Sequence, residues 1–169
     1  MNHNIPVQLE TNRLRLTELS SEDHVFILEL TNSEGWIQFI GDRNVHSEED
    51  ALSYIEKIRV ATFADYWTVL DKATGNKLGV ITLIQRDYLD GIDIGFAFLP
   101  QYSKKGYAYE ASKLVLDQLM ESDKNRKIYA ITQTDNIKSI KLCKKLGLKY
   151  LKTFEENGKD IEIYVITQE

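Results

Sequence analysis

Apolar and polar residues alternate along several short stretches of this chain, as they do in strands with one buried face. The first such run is Arg13 to Glu18. Three more strand-like runs, rich in apolar residues, follow one another in the middle of the chain, at residues 66–71, 78–84 and 92–99. A Gly-containing turn at residues 72–76 separates the first two of these, so the pattern predicts a hairpin that a third strand extends into a meander.

The last part of the chain carries three more strand-like runs, at residues 128–134, 150–154 and 161–166. The dipeptide Asn157-Gly158 lies between the last two. Because Asn-Gly favours the tight turns that match strand twist, these two strands are predicted to form a hairpin.

Helical spacing of apolar residues occurs in four other segments. They are Ser21 to Leu30, a segment that starts at Ser47, Ala108 to Glu121, and Asn136 to Leu146. Ser47-Glu-Glu-Asp50 resembles a capping box with Asp in place of Glu. Gly147 is placed to end the last helix in a left-handed conformation.

The predicted order is strand, two helices, three strands, helix, strand, helix and two strands. This order indicates an α+β or mixed α/β fold, with a central sheet and helices on both of its faces. No internal repeat or flexible linker interrupts the 169 residues, so residues 1–169 are predicted to form one domain.

The composition fits a packed domain, because 43% of the residues are hydrophobic and 28% are charged. The net charge of −5 comes from 21 basic and 26 acidic residues. This charge argues against general binding of nucleic acid or of an anionic membrane, and it mildly favours a cationic substrate such as an amine.

Cys143 is the only cysteine, so an intramolecular disulfide is excluded and a cysteine-based metal site is not expected. His3, His24 and His46 lie far apart without ligand spacing, and no metal is expected. The chain shows neither a signal peptide nor an apolar run of the roughly 20 residues that a membrane helix needs. We expect a cytoplasmic protein.

The segment Pro100 to Ala111 joins a predicted strand to a predicted helix and carries the clearest candidate chemistry. Free backbone N–H groups at a helix start, together with the helix dipole, favour bound phosphate. Gly106 lets the backbone approach a ligand closely, and Lys104 and Lys105 add positive charge. The segment therefore predicts a site for a phosphate group; an ordinary loop with solvated lysines is the alternative.

Three motifs in this order resemble the GNAT superfamily of N-acetyltransferases. Gly106-Tyr-Ala108 is similar to the end of its Q/R-x-x-G-x-G/A pyrophosphate loop, although Ser103 stands at the first position. Residues 134–148 resemble its N-x-x-S motif with a later leucine-glycine pair. Residues 9–17, with the hexapeptide 106–111, are similar to the branch of ribosomal-protein alanine acetyltransferases.

The resemblance implies a mostly antiparallel sheet of about six to seven strands, splayed at the cofactor site. It implies an acetyl-CoA-dependent N-acetyltransferase that acts on a primary amine by direct attack in a ternary complex. The acceptor is a protein N-terminus or a small-molecule amine, and the protein is a monomer or a homodimer. A catalytically inactive CoA-binding sensor or scaffold is the alternative.

The resemblance also assigns residues to the cofactor. Backbone N–H groups of the loop would bind the pyrophosphate, the main chain of the preceding strand end would pair with the pantetheine arm, and the second motif would contact that arm. The cofactor-binding residues are thus Phe98, Leu99, Lys104, Lys105, Gly106, Tyr107, Ala108, Asn136 and Ser139. For Asn136, capping its own helix is the alternative role.

Two residues are predicted to be catalytic. By the resemblance, Ser139 protonates the leaving thiolate; many relatives carry a tyrosine acid where Cys143 stands, and a small buried side chain is the simpler role for this thiol. Asp93 is the first candidate for the base, because alternation puts it on one face with the small residues Gly95 and Ala97. A solvated Asp93 is the alternative, and a water relay would make a base unnecessary. Glu110 is a second candidate, which we interpret as mainly structural.

The acceptor site is predicted from position alone. Residues 34–43 lie between the first two predicted helices, where the family shapes this site. Trp36 and Asp42 are the candidates for contacting the acceptor, with core packing as the alternative for Trp36. The sequence does not name the amine.

Overall fold

The computed structural model describes residues 5–123 and 126–167. Within these ranges the chain forms eight strands and five helices, with short 3-10 turns at Ser21–Asp23 and Pro100–Tyr102. The elements are β1 (Gln8–Glu10), β2 (Leu14–Glu18), α1 (His24–Thr31), α2 (Glu34–Phe39), α3 (Glu48–Val60), β3 (Ala64–Asp71), β4 (Lys77–Gln85), β5 (Ile92–Phe98), α4 (Tyr107–Ser122), β6 (Ile128–Gln133), α5 (Ile137–Lys145), β7 (Lys149–Glu156) and β8 (Lys159–Ile166).

The strands form one sheet in the order β1-β2-β3-β4-β5-β6-β8-β7. Neighbouring strands are antiparallel, except that β5 and β6 are parallel. The mixed α/β class and the mostly antiparallel sheet are as predicted. The sheet has eight strands rather than six or seven, because the three-residue β1 is too short to show alternation.

Two hydrophobic clusters cover the two faces of the sheet. The first contains Leu14, Ile81 and residues of α4 such as Val115, and it also includes the buried Cys143 of α5. The second packs helices α1 to α3 on the opposite face. Burial of both faces explains why β4 reads as a nearly continuous apolar run.

The predicted alternation along β5 is confirmed. Ile92 and Ile94 pack in the cluster beneath α4, whereas Ala97 and Leu99 pack with the cluster beneath α1 and α3. Asp93 therefore faces the side of α1 and α3, because successive residues of a strand point to opposite faces.

The predicted ends of two helices are also confirmed. The Ser47 hydroxyl accepts a hydrogen bond from the Asp50 N–H at 3.1 Å, at the start of α3. Gly147 has φ 92°, and the Leu148 N–H donates to the Cys143 carbonyl at 3.0 Å, which ends α5. Across residues 5–123 and 126–167, no helix is both long and apolar enough to cross a membrane.

Candidate active site

The loop between β5 and α4 turns sharply at two residues. Lys104 has φ 62° and Gly106 has φ 81°, both in the left-handed region. Gly106 immediately precedes α4 and forms its N-cap. A side chain at this φ would strain the backbone, so glycine is the residue that this turn requires. Lys104 and Lys105 are exposed beside it, as the sequence predicts.

The helix start presents free main-chain donors. The Glu110 N–H donates to the Gly106 carbonyl at 3.0 Å, which is the first hydrogen bond of the α4 ladder. The N–H groups of Tyr107, Ala108 and Tyr109 therefore precede the ladder and lie at the positive end of the helix dipole. This arrangement is suited to an anionic group such as a phosphate.

Arg13, the residue before β2, holds this loop in place. Its Nη1 donates to the Lys105 carbonyl at 3.1 Å, and its Nε and Nη2 donate to the Glu110 carboxylate at 2.8 and 2.6 Å. The guanidinium also lies 4.6 Å from the centre of the Tyr107 ring. One side chain thus fixes the residue before Gly106 and the first turn of α4 together.

Glu110 is fully engaged in this network. Its other oxygen accepts a hydrogen bond from the Thr11 hydroxyl at 2.5 Å. Burial acts to raise the pKa of Glu110, but the hydrogen bonds from Thr11 and Arg13 outweigh it and hold the pKa below its usual value. These contacts agree with a structural role for Glu110 rather than the role of a proton acceptor.

The sheet opens next to this loop. β5 pairs with β4 along its whole length, but it pairs with β6 only at Ile92 and Asp93. From Ile94 onward the two parallel strands diverge, and the edge of β5 that faces β6 has no strand partner within the described residues. A gap of this kind exposes main-chain donors and acceptors inside the protein, where a ligand can pair with them.

Phe98 and Leu99 differ in whether their main-chain N–H and C=O groups are free to bond a ligand. The Leu99 N–H donates to the Leu78 carbonyl at 2.9 Å, and the Leu99 carbonyl accepts from the Tyr102 N–H at 3.0 Å. The pairing predicted between Leu99 and a pantetheine arm would therefore have to compete with these two bonds. Main-chain groups of successive strand residues point to opposite edges, so those of Phe98 face the gap.

Asp93 lies at the point where β5 and β6 separate. It is 4% exposed, and its Oδ2 accepts a hydrogen bond from Arg86 Nε at 2.7 Å. Burial raises the pKa of Asp93, while the Arg86 guanidinium and the Ile131 N–H act in the opposite direction. Ile131 belongs to β6, just beyond the residues at which β6 pairs with β5. The solvated Asp93 of the alternative interpretation is excluded by this burial.

Gly95, two residues after Asp93 on the same face of β5, lies against the side chain of Thr82 on β4. Gly95 leaves no room for a side chain, because a Cβ there would lie 2.4 Å from the Thr82 hydroxyl oxygen. Tyr66 lies directly across from Thr82 on β3. Burial raises the pKa of the Tyr66 hydroxyl, which interacts with Tyr54 of α3. Tyrosine hydroxyls and a buried carboxylate therefore share this face of the sheet.

The start of α5 carries the second predicted motif. The Asn136 side-chain oxygen accepts a hydrogen bond from the Ser139 N–H at 3.2 Å, so Asn136 caps the helix. The capping role named as the alternative is thus present, and the Asn136 amide nitrogen is the group left for a ligand. Ser139 is half-buried and interacts through its side chain with Cys143, one turn further on.

Cys143 is completely buried in the first hydrophobic cluster. Burial raises the pKa of its thiol to about 11, against which the interaction with Ser139 acts only partly. The thiol is therefore protonated at neutral pH. This environment agrees with a small apolar packing role.

One exposed lysine of α5, Lys145, lies near the loop between β5 and α4. Lys145 Nζ lies 4.2 Å from the centre of the Tyr109 ring, in the first turn of α4. This contact brings the end of α5, and the positive charge of Lys145, next to the start of α4.

The structure corrects the prediction for Trp36. Its side chain is 5% exposed and packs in the second hydrophobic cluster, so the packing alternative describes it better than an acceptor contact does. Asp42 is exposed, and its Oδ1 accepts from the Asn44 N–H at 2.7 Å. Asp42 thus shapes the turn before α3.

Helix α2, which the sequence pattern does not predict, reaches the far side of the gap. The Gln133 side-chain amide at the end of β6 donates to the Phe39 carbonyl at 2.8 Å. Lys159 Nζ approaches the Gln38 carbonyl at 3.4 Å. These contacts place the end of α2 beside the end of β6, next to the opening between β5 and β6.

Two residues of the site were not found by sequence reasoning. Arg13 lies within the N-terminal motif, which supported only the family resemblance. Arg86 follows β4 and reaches Asp93 across the hairpin; Ile84 lies opposite Asp93, so Arg86, two residues further on, points to the same face. That register was the available signal for Arg86, whereas the contact of Arg13 with α4 depends on the tertiary fold.

Comparison with known proteins gives a consistent result. The sequence model of the acetyltransferase (GNAT) domain matches residues 13–149. The uncharacterized N-acetyltransferase YnaD of Bacillus subtilis is 27% identical over 143 residues, which cover 85% of this chain and 83% of that protein.

Solved structures share the fold. A GNAT-family acetyltransferase from Bacillus anthracis superposes with a TM-score of 0.82 at 23% identity, covering 95% of this chain and 98% of that one. The ribosomal-protein-S5-alanine acetyltransferase of Vibrio fischeri superposes with a TM-score of 0.79 at 18% identity, covering 96% and 97%. Because the domain match spans most of the sequence and includes the loop at Gly106 and the gap beside β5, this chain belongs to the GNAT family of acetyltransferases.

Proposed function

We propose that this protein transfers the acetyl group of acetyl-CoA to a primary amine by direct attack in a ternary complex. The observation that carries the proposal is the position of the Gly106 loop beside the open edge of β5. The loop offers N–H donors to a phosphate, and the edge offers unpaired main-chain groups to an extended amide-containing arm.

The residues present fit CoA in two places, the turn at Gly106 and the open edge of β5 at Phe98. A Cβ at Gly106 would meet only Arg13, at 3.4 Å, so strain at φ 81° rather than crowding by neighbours makes glycine necessary. The N–H groups of Gly106, Tyr107 and Ala108 would bind the pyrophosphate, with charge from Lys104 and Lys105. Bound acetyl-CoA would supply an activated thioester. The main chain of Phe98, rather than that of Leu99, would pair with its arm.

Asp93 is the proposed base. It faces the α1 and α3 side of the sheet, at the position where β5 and β6 part. Burial has the largest effect on the pKa of Asp93 and raises it, while Arg86 acts to lower it; in its ionised form the carboxylate would accept a proton from an amine directly or through water.

Ser139 is the proposed proton donor to the leaving thiolate. It is half-buried in the first turn of α5, and its N–H is fixed by Asn136. Cys143 lies one turn away with a protonated thiol, but its complete burial makes it a packing neighbour of Ser139 rather than a second donor.

The acceptor is a primary amine at a protein N-terminus or on a small molecule. The N-terminal motif and the fold shared with an alanine acetyltransferase favour the protein N-terminus. A catalytically inactive CoA-binding module is the second candidate. The specific observation that favours it is the burial of Cys143, where many relatives have a tyrosine acid.

Thiol release from acetyl-CoA in the presence of amines tests the proposal. N-terminal peptides, polyamines, amino acids and aminoglycosides form the panel, and CoA binding is measured separately by calorimetry. We expect release that depends on one class of amine. Binding without release for any amine would favour the inactive module, and no binding would contradict both functions.

A further inference from the structure

Arg43 brings a second guanidinium to the face of the sheet on which Asp93 lies. It belongs to the loop between α2 and α3, and its exposed side chain interacts with the hydroxyl of Tyr54 on α3. Its charge also acts on Tyr66 of β3, whose side chain packs in the cluster beneath α1 and α3. Arg86 acts on the same Tyr66 hydroxyl, so the two guanidinium groups lie around one part of this face.

The loop that carries Arg43 has a fixed main chain. On one side of Arg43, the Asp42 Oδ1 accepts a hydrogen bond from the Asn44 N–H at 2.7 Å. On the other side, Asn32 Nδ2 of the helix α1 cap donates to the Val45 carbonyl at 2.7 Å, and the Val45 side chain is buried. A ligand that binds Arg43 therefore needs to order only its side chain.

The end of β7 brings a second carboxylate to the site. The ring of Phe154 lies 6.2 Å from the ring of Tyr88, centre to centre, and meets it edge to face. Tyr88 belongs to the loop that joins β4 to β5, so this contact ties the end of β7 to the loop that begins at Arg86. Glu156 is consequently close enough to attract the Arg86 guanidinium.

The two arginines differ in their acidic partners. Arg86 is bound to Asp93 at 2.7 Å and is attracted by Glu156 as well. Arg43, by contrast, forms no ion pair with a carboxylate within the described residues, and its neighbour Asp42 is engaged by the loop itself. The Arg43 guanidinium is therefore the charge on this face that a bound carboxylate would neutralise.

The formal charges around the site indicate what kind of acceptor fits it. With Asp93 in its ionised form, two acids and two arginines meet here. A diamine would leave Arg43 without a counter-charge, and a dianion without an amine would be repelled by Asp93 and Glu156. A molecule that has both an amine and a carboxylate can place each group against the opposite charge.

We propose that the acceptor carries a carboxylate close to its primary amine, and that Arg43 binds this carboxylate while the amine meets Asp93. The inference rests on the proposed acetyl transfer and narrows the class of acceptor. Guanidinium groups bind carboxylates through charge-assisted hydrogen bonds, and the Tyr54 hydroxyl lies beside Arg43 as a further polar group. A free amino acid and a peptide with an acidic residue at its N-terminus both supply this chemistry.

Matched acceptors that differ only in charge test the inference. Free amino acids are compared with their amides, and peptides with Asp or Glu in the first two positions are compared with their Asn or Gln counterparts. In wild type, kcat/KM should be higher for the carboxylate member by about tenfold or more, as one hydrogen bond between charged groups provides. Whether the amino acids or the peptides show this preference identifies the source of the carboxylate.

Substitutions at residue 43 connect the preference to Arg43. Arg43→Gln should remove it by raising KM for the carboxylate acceptor, with kcat and KM for acetyl-CoA nearly unchanged. Arg43→Glu should reverse it in favour of the uncharged member of each pair. Arg59→Gln, which removes the same charge from an exposed position on α3, should keep the wild-type preference. Thermal melting confirms that each variant is folded.

The outcomes separate this inference from the function on which it rests. Equal turnover of both members of every pair by wild type would overturn the inference and leave acetyl transfer intact. A preference that Arg43→Gln retains would do the same, because another residue would then bind the carboxylate. No turnover with any acceptor would overturn acetyl transfer and this inference together.

Discussion

The Arg86 side chain holds the Asp93 carboxylate through a 2.7 Å hydrogen bond from Nε, at the point where β5 leaves β6. Arg86 is 34% exposed at its side chain, whereas that of Asp93 is 5% exposed. The guanidinium thus stabilises the negative charge of a buried acid while itself remaining in contact with solvent.

The pH dependence of turnover should report the pKa of Asp93 and the effect of Arg86 on it. A base works only when deprotonated, so activity should fall as the pH falls through the pKa of Asp93, which burial raises above its usual value. Arg86→Gln removes the charge that lowers this pKa, and the acidic limb should move to higher pH. Asp93→Asn should abolish the limb and reduce kcat.

Arg59→Gln is the matched control, because it removes the same charge from an exposed position on α3. The test is a profile of kcat against pH for wild type, Arg86→Gln, Asp93→Asn and Arg59→Gln. If Arg86→Gln and Arg59→Gln gave identical profiles, or if Asp93→Asn kept the acidic limb, another group would be the base.

Gly106→Val should weaken CoA binding by about tenfold or more while the chain still folds. A β-branched residue in the left-handed region costs about 1–3 kcal/mol and would displace the N–H groups that bind phosphate. Gly158→Val is the control, because Gly158 has φ 75° and open space around it in the last hairpin.

Calorimetric titration with CoA and thermal melting compare these two variants. Both should lose similar stability, but only Gly106→Val should lose affinity, by about tenfold or more, the equivalent of one hydrogen bond to a charged group. Equal CoA affinity in the two variants would remove the phosphate assignment from this loop.

Arg13→Gln should weaken CoA binding more than it weakens the fold. The Arg13–Glu110 pair is partly exposed, with 47% and 22% of the side chains accessible, so its loss should cost about 1 kcal/mol or less. The Lys105 carbonyl would lose its anchor, and KM for acetyl-CoA should rise. Arg15→Gln, which breaks an exposed pair with Glu10, should leave KM unchanged.

Ser139→Ala and Cys143→Ala should separate proton donation from packing. Loss of a general acid lowers kcat by about 100-fold, and we expect this for Ser139→Ala alone. Cys143→Ala should cost about 1 kcal/mol of unfolding free energy with little change in kcat. Because burial raises the thiol pKa to about 11, Cys143 should also resist alkylation in the folded protein.

The sequence predicted elements whose signal is local. The meander β3–β5, the caps at Ser47 and Gly147, and the alternation along β5 all follow from residues close together in the chain. Helix α2 was missed because six residues show too little periodicity. The burial of Trp36 depends on packing between helices that are distant in sequence, which a single-chain pattern does not encode.

The sequence also predicted those residues of the candidate site whose signal is local, and it missed contacts between distant parts of the chain. Gly106 and its lysines follow from turn chemistry and helix-terminus electrostatics, whereas the contacts of Arg13 with Lys105 and Glu110 join residues more than 90 positions apart. The difference between Phe98 and Leu99 needed the register of β5 against β4, because only the ladder shows which main-chain groups are already bonded.

Backbone amide shifts during a titration with CoA test the central claim most directly. The account predicts that the largest changes occur at Phe98, Gly106, Tyr107 and Ala108, with a smaller change at Leu99, whose N–H is bonded to β4. Saturable shifts confined to another part of the chain would contradict the assignment of the donor site to the Gly106 loop and the open edge of β5.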